Sequence, residues 1–438
     1  MELLIQILTF ILIISILVVL HEFGHYLPAK WFKIKVEKFY LFFDWKFSLF
    51  KKKIGETEWG VGWLPLGGYV KIAGMIDESM DTEQMKEEPK DWEFRSKPAW
   101  QRLIVMLGGV TVNFLLAWVI YSGLLYSNGD TYIPADSLKY GILVDSVGQK
   151  IGLQTGDQIL AIDGKKSTKF SDASLDILLG DEITVSRDGQ TLTIPIADEG
   201  KKDLLSQGRG FLSYRMRPIV GRTTEDSGAR IAGIQSGDLI TAVNGKTVTY
   251  YSEFLELMNG YETRETISIS ADRGGALRTF DVTLSDEGKA GIAPSVDDLR
   301  VTDSYGLLAS VPAGFNRTIK VLTDQVRQFK IIFNRKTEGY KQVKGPIGIV
   351  EMMPESWNWG FFWGFLAMFS VWLAFVNLLP IPALDGGHVM FLLYEIISGR
   401  PPSEKTLERG QIVGFIIVMG LMAVIFGNDI WNIIKRFL

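Results

Sequence analysis

The chain contains no cysteine, which excludes disulfide bonds, thiol nucleophiles and cysteine-ligated metal sites. Histidine is nearly as scarce, and any imidazole chemistry must use His21, His25 or His388. A strong excess of one charge is also missing, because 46 Lys and Arg stand against 50 Asp and Glu, a net charge of −4. This balance argues against a nucleic-acid partner. The length of 438 residues predicts about two to four folding units.

Charged residues are absent from four long apolar runs, at 3–20, 103–126, 360–384 and 411–427. Each run reaches or nearly reaches the ~20 residues with which a helix spans a bilayer. The first run could instead be a signal peptide, but it lacks a basic start and a small-residue cleavage site. We therefore expect four transmembrane helices, within 1–30, 102–127, 359–388 and 410–435.

Basic residues predict the orientation of these helices. Eight lysines lie between positions 30 and 53, and the loop between the last two spans adds Arg400, Lys405 and Arg409. Short loops rich in Lys and Arg stay in the cytoplasm. Lys435 and Arg436 argue mildly for the opposite orientation. The balance places the long segment between the second and third spans outside the cytoplasm.

That long segment contains an internal repeat. Residues 151–167 and 232–248 are identical at eight of seventeen positions, at an offset of 81 residues. Short β-branched runs alternate there with Gly, Asp and Asn turns, which is typical of small β-rich domains. Both copies resemble PDZ domains of bacterial proteases, and this resemblance predicts two tandem PDZ-like domains, at 128–216 and 217–300.

The PDZ resemblance implies carboxylate-binding loops at 140–143 and 218–221 and a groove helix at 251–258. Whether either copy binds a peptide end stays open, because a fold does not fix a function. Residues 301–358 contain one amphipathic helix and a connector. The apolar face of that helix consists of Phe315, Ile319, Leu322, Val326, Phe329 and Phe333. This face fits either a membrane interface or packing against the second repeat.

A candidate metal site lies at the end of the first span, in the H-E-x-x-H pattern of residues 21–25. His21 and His25 lie on one face of a helix, so both imidazoles can reach one ion. Glu22 lies beside that ion without binding it and can move a proton to and from water. Two histidines and an acid at the end of a membrane helix cost several kcal/mol unless they are paired or functional.

The third metal ligand is expected near the end of the third span. Pro380, Pro382 and the following Gly386-Gly387 pair are expected to break that helix. Asp385 lies in this break and completes a set of two histidines and a carboxylate, which is a recurring catalytic zinc set. His388 is a rival third ligand.

Together, these features resemble the site-2 protease family of intramembrane metalloproteases. The H-E-F-G-H motif, the N-x-x-P-x-P-x-x-D-G-G motif at 377–387, the repeats and the four spans carry the resemblance. It implies Zn2+ bound by His21, His25 and Asp385, with Glu22 as catalytic base. It also implies that Asn377 contacts the substrate backbone, although an interhelical hydrogen bond is an equally physical role for that amide. The proline that the family often has in the second span, before Asn113, is missing.

The segment 31–101 is expected on the cytoplasmic side, with a β-hairpin at 56–73. Its arms are rich in aromatic and β-branched residues and flank Leu64-Pro65-Leu66-Gly67-Gly68. The family resemblance implies that this hairpin re-enters the membrane. We expect its edge, including Gly68 and Tyr69, to bind an unwound substrate by strand addition, since an open edge in lipid must be covered. A surface hairpin that only packs on the helices is the alternative.

The sequence therefore predicts a multi-span α-helical membrane protein with four transmembrane helices, a membrane-reentrant β-hairpin and two extracytoplasmic PDZ-like domains. The expected function is zinc-dependent intramembrane cleavage in a bacterial inner membrane. By resemblance, the expected partners are the lipid bilayer and single-span substrates such as trimmed anti-sigma factors or signal-peptide remnants. The alternatives are a membrane-anchored peptide-binding scaffold with a vestigial metal site, and a metal transporter. The oligomeric state does not follow from the sequence.

Overall fold

A computed structural model describes residues 2–75, 88–206 and 210–437. Residues 76–87 of the predicted 31–101 segment and 207–209 of the first predicted PDZ-like domain lie outside the described residues. The chain forms two compact units. The first unit consists of Met1–Gly129, Ser304–Phe329 and Val343–Leu438, and the second of Asp130–Asp303 and Lys330–Gln342.

The described residues form twelve α-helices. In chain order they are α1 Glu2–Trp31, α2 Ala99–Asn128, α3 Ser146–Lys150, α4 Phe170–Leu179, α5 Asp198–Ser206, α6 Gly228–Ile231, α7 Tyr251–Met258, α8 Leu307–Phe333, α9 Pro346–Val350, α10 Trp359–Asn377, α11 Asp385–Ser398 and α12 Glu404–Phe437.

The same residues form sixteen β-strands. They are β1 Val36–Ile54, β2 Thr57–Ile72, β3 Asp130–Tyr132, β4 Ile142–Val144, β5 Gln158–Ile162, β6 Lys165–Lys166, β7 Glu182–Arg187, β8 Gln190–Pro195, β9 Leu212–Tyr214, β10 Val220–Thr223, β11 Leu239–Val243, β12 Lys246–Thr247, β13 Thr266–Arg273, β14 Ala276–Thr283, β15 Ile292–Pro294 and β16 Val301–Asp303.

Four helices of the first unit, α1, α2, α10 and α12, are long and apolar enough to cross a membrane. They cover the four predicted spans, but the third prediction was too long. Helix α10 ends at Asn377, and a new helix, α11, begins at Asp385. Pro380 and Pro382 lie in the non-helical stretch between the two helices, as expected for residues that lack a backbone donor.

The expectation that Gly386 and Gly387 break the third helix was wrong, because both lie in the first turn of α11. A β-carbon at Gly386 would lie 2.2 Å from the Leu379 carbonyl oxygen. A β-carbon at Gly387 would lie 2.3 Å from the Cα atom of Pro382. The glycines therefore let α11 fold back against the break that precedes it.

Helices α1 and α2 touch backbone to backbone. A β-carbon on Gly24 would lie 2.4 Å from the Gly108 carbonyl oxygen, and one on Gly108 would lie 1.9 Å from the Gly24 carbonyl oxygen. Two glycines opposite each other allow the close helix approach that is common in membranes. This contact lies one residue from His25, so it fixes the distance between the candidate metal site and α2.

The predicted hairpin at 56–73 was wrong, because its two arms do not pair with each other. Strand β2 continues through the expected turn, and residues 38–41 of β1 pair with 68–71 on one side and with 58–61 on the other. Residues 48–54 pair with 57–62. The 68–72 arm is therefore the outer edge of the sheet, since no further strand pairs with it among the described residues.

The glycines of β2 serve close packing, where the sequence analysis expected a turn. A β-carbon at Gly60 would lie 2.3 Å from the Tyr40 ring, and one at Gly62 would lie 2.2 Å from the Phe43 carbonyl oxygen. Small residues let β1 and β2 fold tightly over each other. The pairing of distant segments cannot be read from the composition of a single loop.

The two repeat copies in the second unit have the same strand order. The first copy forms the four-stranded antiparallel sheet β6-β5-β7-β8, and the second forms β12-β11-β13-β14. Each copy has one helix between its second and third strands, α4 in the first copy and α7 in the second. The predicted groove helix of the second copy, Tyr251–Met258, has the bounds of α7.

A buried ion pair also occurs in both copies. Asp157 accepts two hydrogen bonds of 2.7 Å from Arg187, and Asp238 accepts bonds of 2.6 and 2.7 Å from Arg273. Both aspartates are almost fully buried. Hydrogen bonding by Arg273 lowers the pKa of Asp238, so this pair stays ionised at neutral pH. The Gly-Asp dipeptide of the repeat thus fixes the turn that precedes β5 or β11.

The segments predicted as carboxylate-binding loops have their backbone groups paired within their own copy. Strand β4 pairs with β9, and on its other side the Ile142 amide donates to the Asp157 carbonyl. Strand β10 pairs with β15, and the Val220 amide donates to the Asp238 carbonyl. In each copy the Gly-Asp turn thus pairs with part of the predicted loop, at Ile142 or Val220. The carboxylate-binding role of 140–143 and 218–221 stays a prediction.

Helix α8 packs against the spans with small and polar residues. Its most buried positions are Ser310, Gly314, Thr318 and Gln325. Gly314 contacts Ser122 of α2 so closely that a β-carbon would lie 2.2 Å from the Ser122 hydroxyl oxygen. The predicted apolar face is partly exposed, with Phe315 at 39% and Phe333 at 66%. Residues of that face also pack, since Phe315 contacts Phe114 and Trp118 of α2 and Phe329 contacts Phe375 of α10. A position of its exposed part at a membrane interface stays a prediction.

Candidate metal centre

The two histidines of the H-E-x-x-H motif meet on the inner face of α1. His21 and His25 are separated by one helical turn, and both are buried. Their Nε2 atoms lie 3.3 Å apart, and their rings are nearly perpendicular. The local helix therefore directs two imidazole nitrogens to one point.

Asp385, the first residue of α11, brings a carboxylate to the same point. Its Oδ2 atom lies 3.3 Å from the His21 Nε2 atom and 3.2 Å from the His25 Nε2 atom. This oxygen is buried and has no hydrogen-bond partner among the described residues. A buried carboxylate oxygen without a donor is costly, and a bound cation would offset that cost.

The three atoms have the spacing of a tetrahedral zinc site. Zinc binds imidazole nitrogen and carboxylate oxygen at about 2.0–2.2 Å, so neighbouring ligand atoms of a tetrahedron lie about 3.3–3.6 Å apart. The observed separations of 3.2–3.3 Å lie close to the lower end of this range. Two nitrogens and one oxygen are also a donor set that zinc accepts while leaving a fourth position open.

Helix α2 contacts both imidazoles at their Nδ1 atoms. The Nδ1 atom of His25 lies 2.9 Å from the Val105 carbonyl oxygen, to which it can donate. The Nδ1 atom of His21 lies 3.1 Å from the side-chain amide of Asn113. A β-carbon on Gly109 would lie 2.4 Å from the His25 Nε2 atom and 2.5 Å from the His21 Cε1 atom. The absence of a side chain at Gly109 leaves the space that the two rings occupy.

A cavity of about 850 Å³ opens beside the three ligand atoms. It lies within the first unit and is lined by α1, β2, the 377–385 break, α11 and α12. Glu22 lines this cavity, as does Val70 of β2. The predicted proton carrier therefore faces the same space as the candidate metal ligands.

The remaining predicted site residues also line the cavity. Asn377, the last residue of α10, places its Nδ2 atom 3.2 Å from the His21 Nε2 atom. Gly68 and Tyr69 lie on the open edge of β2, and the Tyr69 hydroxyl donates to Asp44. A β-carbon on Gly68 would lie 2.5 Å from the Val18 side chain, so the strand runs close against α1.

His388, the rival third ligand, lines the cavity but is not part of the cluster of potential ligands. Among the described residues that cluster consists of His21, His25 and Asp385. His388 follows Asp385 by three residues on α11. The geometry therefore favours Asp385 over His388 for a role as the third ligand.

Sequence reasoning missed the parts of the site that α2 supplies. Asn113 was noted only as a family position, and Gly109 and the Val105 carbonyl were not assigned a role. Asn113 gave a usable signal, because it is the one carboxamide in the apolar run 103–126. A polar group at such a position is costly unless it has a partner. The Val105 carbonyl and the absent side chain of Gly109 cannot be recognised in the sequence in this way.

Comparison with known proteins gives the family. The sequence profile of peptidase family M50 matches residues 9–421. The chain belongs to this family. The expected relationship to the site-2 proteases, which are the proteins of this family, is confirmed.

Several bacterial relatives of the M50 family match nearly the whole chain. A protein of Haemophilus influenzae named "Regulator of sigma E protease" is 30% identical, over 96% of this chain and 97% of its own. "Regulator of sigma-E protease RseP" of Escherichia coli is 27% identical over the same shares. "Putative zinc metalloprotease NMA0084" of Neisseria meningitidis is 29% identical, over 98% of this chain and 99% of its own.

Replacing Gly109 by Ala should weaken metal binding by at least about tenfold, because the new methyl group would displace both imidazoles. The matched control is Gly123→Ala on the same helix, where a β-carbon meets no atom within 4 Å. The measurement is metal content per chain after purification and dialysis against graded chelator. Equal metal content in the two variants, with both inserted in the membrane, would show that α2 does not constrain the histidines.

Proposed function

We propose that this M50 peptidase is a zinc-dependent endopeptidase that cleaves membrane-embedded substrates. The observation that carries the proposal is the convergence of two buried imidazoles and a carboxylate inside a unit of four membrane-spanning helices. Two further facts support it. Glu22 lines the same cavity, and one relative is named as a zinc metalloprotease.

His21, His25 and Asp385 would hold the zinc ion. Bound there, zinc supplies Lewis-acid activation of water and of the peptide carbonyl. The chain has no other cluster of three such ligands among its described residues. The site is therefore assigned by its donor set and its geometry together.

Glu22 would act as general base and then as general acid. Its carboxylate faces the cavity and can take a proton from the attacking water. The same group can pass that proton to the amine that leaves when the peptide bond breaks.

Asn377 would bind the substrate backbone. Its amide nitrogen lies 3.2 Å from the His21 Nε2 atom, so its N–H groups point to the space next to the ligand set. A donor at this place can stabilise the charge that develops on the oxygen of the scissile carbonyl.

The open edge of β2 would hold the substrate in an extended form. A helical substrate hides its carbonyls in its own hydrogen bonds, so it must unwind before hydrolysis. Residues 68–72 line the cavity, and among the described residues no further strand pairs with this outer side of β2. Strand addition to this edge replaces the hydrogen bonds that unwinding removes. We place Gly68 and Tyr69 in this contact.

The proposed substrates are single-span membrane proteins, such as anti-sigma factors trimmed outside the membrane. The names of two relatives refer to regulation of sigma E, which supports this class. The proposed location is a bacterial inner membrane. The excess of Lys and Arg in the short loops favours an active site near the cytoplasm and repeats on the outer side.

Glu22→Gln should retain zinc and lose cleavage of a model transmembrane substrate by roughly 10²–10⁴-fold, because the amide cannot accept the proton of water. Asp385→Asn should lose zinc, since a neutral amide is a poor replacement for a charged ligand. His388→Ala is the control and should keep wild-type zinc content. The measurements are zinc per chain and cleavage rate in reconstituted membranes.

Two results would contradict this assignment. Equal cleavage by wild type and Glu22→Gln would contradict the proposed peptidase mechanism. Wild-type zinc in Asp385→Asn, together with zinc loss in His388→Ala, would make His388 the third ligand.

Strand addition predicts that cleavage depends on every second backbone N–H group of the substrate. In a strand, alternate N–H groups point towards the partner strand. N-methylation at successive positions next to the cut site should therefore slow cleavage at every second position. The measurement is the cleavage rate of a series of singly methylated peptides. A uniform effect, or none, would contradict pairing with the β2 edge.

A further inference from the structure

Asn113 is a fully buried polar side chain near the metal centre that the proposed mechanism does not use. It is 0% exposed, lies in the middle of α2, and is not among the residues that line the cavity. Its Nδ2 atom lies 3.1 Å from the His21 Nδ1 atom, and its Oδ1 atom has no hydrogen-bond partner among the described residues. A buried amide with one unpaired atom needs an explanation.

The chemistry of a metal-bound imidazole would give this oxygen a partner. If His21 uses Nε2 as the ligand atom, its proton must lie on Nδ1, which then acts as a donor. Two donors would face each other if the Nδ2 atom of Asn113 stayed at 3.1 Å. Rotation of the amide by half a turn exchanges Nδ2 and Oδ1 at almost no change in shape. The orphaned oxygen then accepts the proton of His21.

The two histidines are therefore held by different kinds of acceptor. His25 faces a backbone carbonyl, that of Val105, which every sequence provides at this position. His21 faces a side chain, so only this interaction depends on residue identity. The Ser370 hydroxyl donates to the backbone carbonyl of Asn113 at 2.8 Å, which ties this part of α2 to α10. Gly109, one turn earlier, lets the α2 backbone approach the two rings.

Resting on the proposed zinc site, we infer that Asn113 is a positioning residue, whose Oδ1 atom accepts a hydrogen bond from Nδ1 of His21 and so fixes the Nε2 atom as the metal ligand. The amide orientation is thereby coupled to the tautomer of His21. Loss of the acceptor leaves the imidazole free to rotate and leaves its N–H unpaired in a buried site. Partners of this kind typically change metal affinity by about 10–100-fold.

Three variants of the full-length protein test the inference. Asn113→Leu keeps the size but removes the acceptor and should release zinc about 10–100-fold faster to excess chelator. Asn113→Asp keeps an acceptor, and should release zinc no faster than wild type. Ser370→Ala, the matched control, removes a neighbouring buried hydrogen bond without touching His21, and should also match wild type. If Asn113→Leu does not accumulate in membranes, Asn113→Ala replaces it with the same expectation.

Wild-type release rates in Asn113→Leu would overturn the inference. Equal impairment of the Leu and Asp variants would also overturn it, since that result indicates packing alone. Thermal unfolding of the zinc-free proteins distinguishes loss of the hydrogen-bond acceptor from a packing defect. Loss of the acceptor alone predicts similar melting temperatures for wild type and variants.

The tautomer provides a second readout that does not depend on activity. The chain has three histidines, so the 15N spectrum of histidine-labelled protein contains three imidazoles. In the zinc-loaded wild type, His21 should carry its proton on Nδ1. A proton on Nε2 of His21 in zinc-loaded protein would overturn this inference while leaving the peptidase proposal intact. A wild type that binds no zinc would instead refute the proposed function.

Discussion

Two imidazole nitrogens and a carboxylate oxygen lie within 3.3 Å of one another in a unit of apolar helices. Such a cluster is unfavourable in a low-dielectric interior unless a cation binds between its members. The break between α10 and α11 is the part of the fold that this constraint bears on most directly. A break after Asn377 is needed to bring Asp385 to a helix that lies more than 350 residues earlier in the chain.

Backbone contacts then determine how precisely the ligands meet. Gly24 and Gly108 let α1 touch α2, and Gly109 leaves room for both rings. The same kind of contact lets α11 begin directly against the break, at Gly386 and Gly387. Close packing of rigid helices holds a site more accurately than a loop does. The apolar sequence thus provides the scaffold, and a few small residues set the geometry.

The sequence predicted the parts of the site that depend on local structure. His21, Glu22 and His25 follow from helical spacing alone, and Asp385 follows from an acid placed at a proline break. The pairing of β1 with both arms of β2 was not predictable, because strand register depends on contacts between distant segments. A lone carboxamide in an apolar run marks Asn113 as unusual, but its contact with His21, 92 residues earlier, was not predictable for the same reason. The close contact of α8 with α2 at Gly314 was not predicted, because a small residue gives no signal in an apolar pattern.

X-ray absorption at the zinc edge of the purified protein tests the central claim most directly. The account predicts one zinc per chain with four nitrogen or oxygen ligands at about 2.0–2.2 Å. It also predicts outer-shell scattering from two imidazole rings, those of His21 and His25. Scattering from three rings would add His388 to the ligand set in contradiction to the geometry of Asp385. A protein without zinc at this site would contradict the account as a whole.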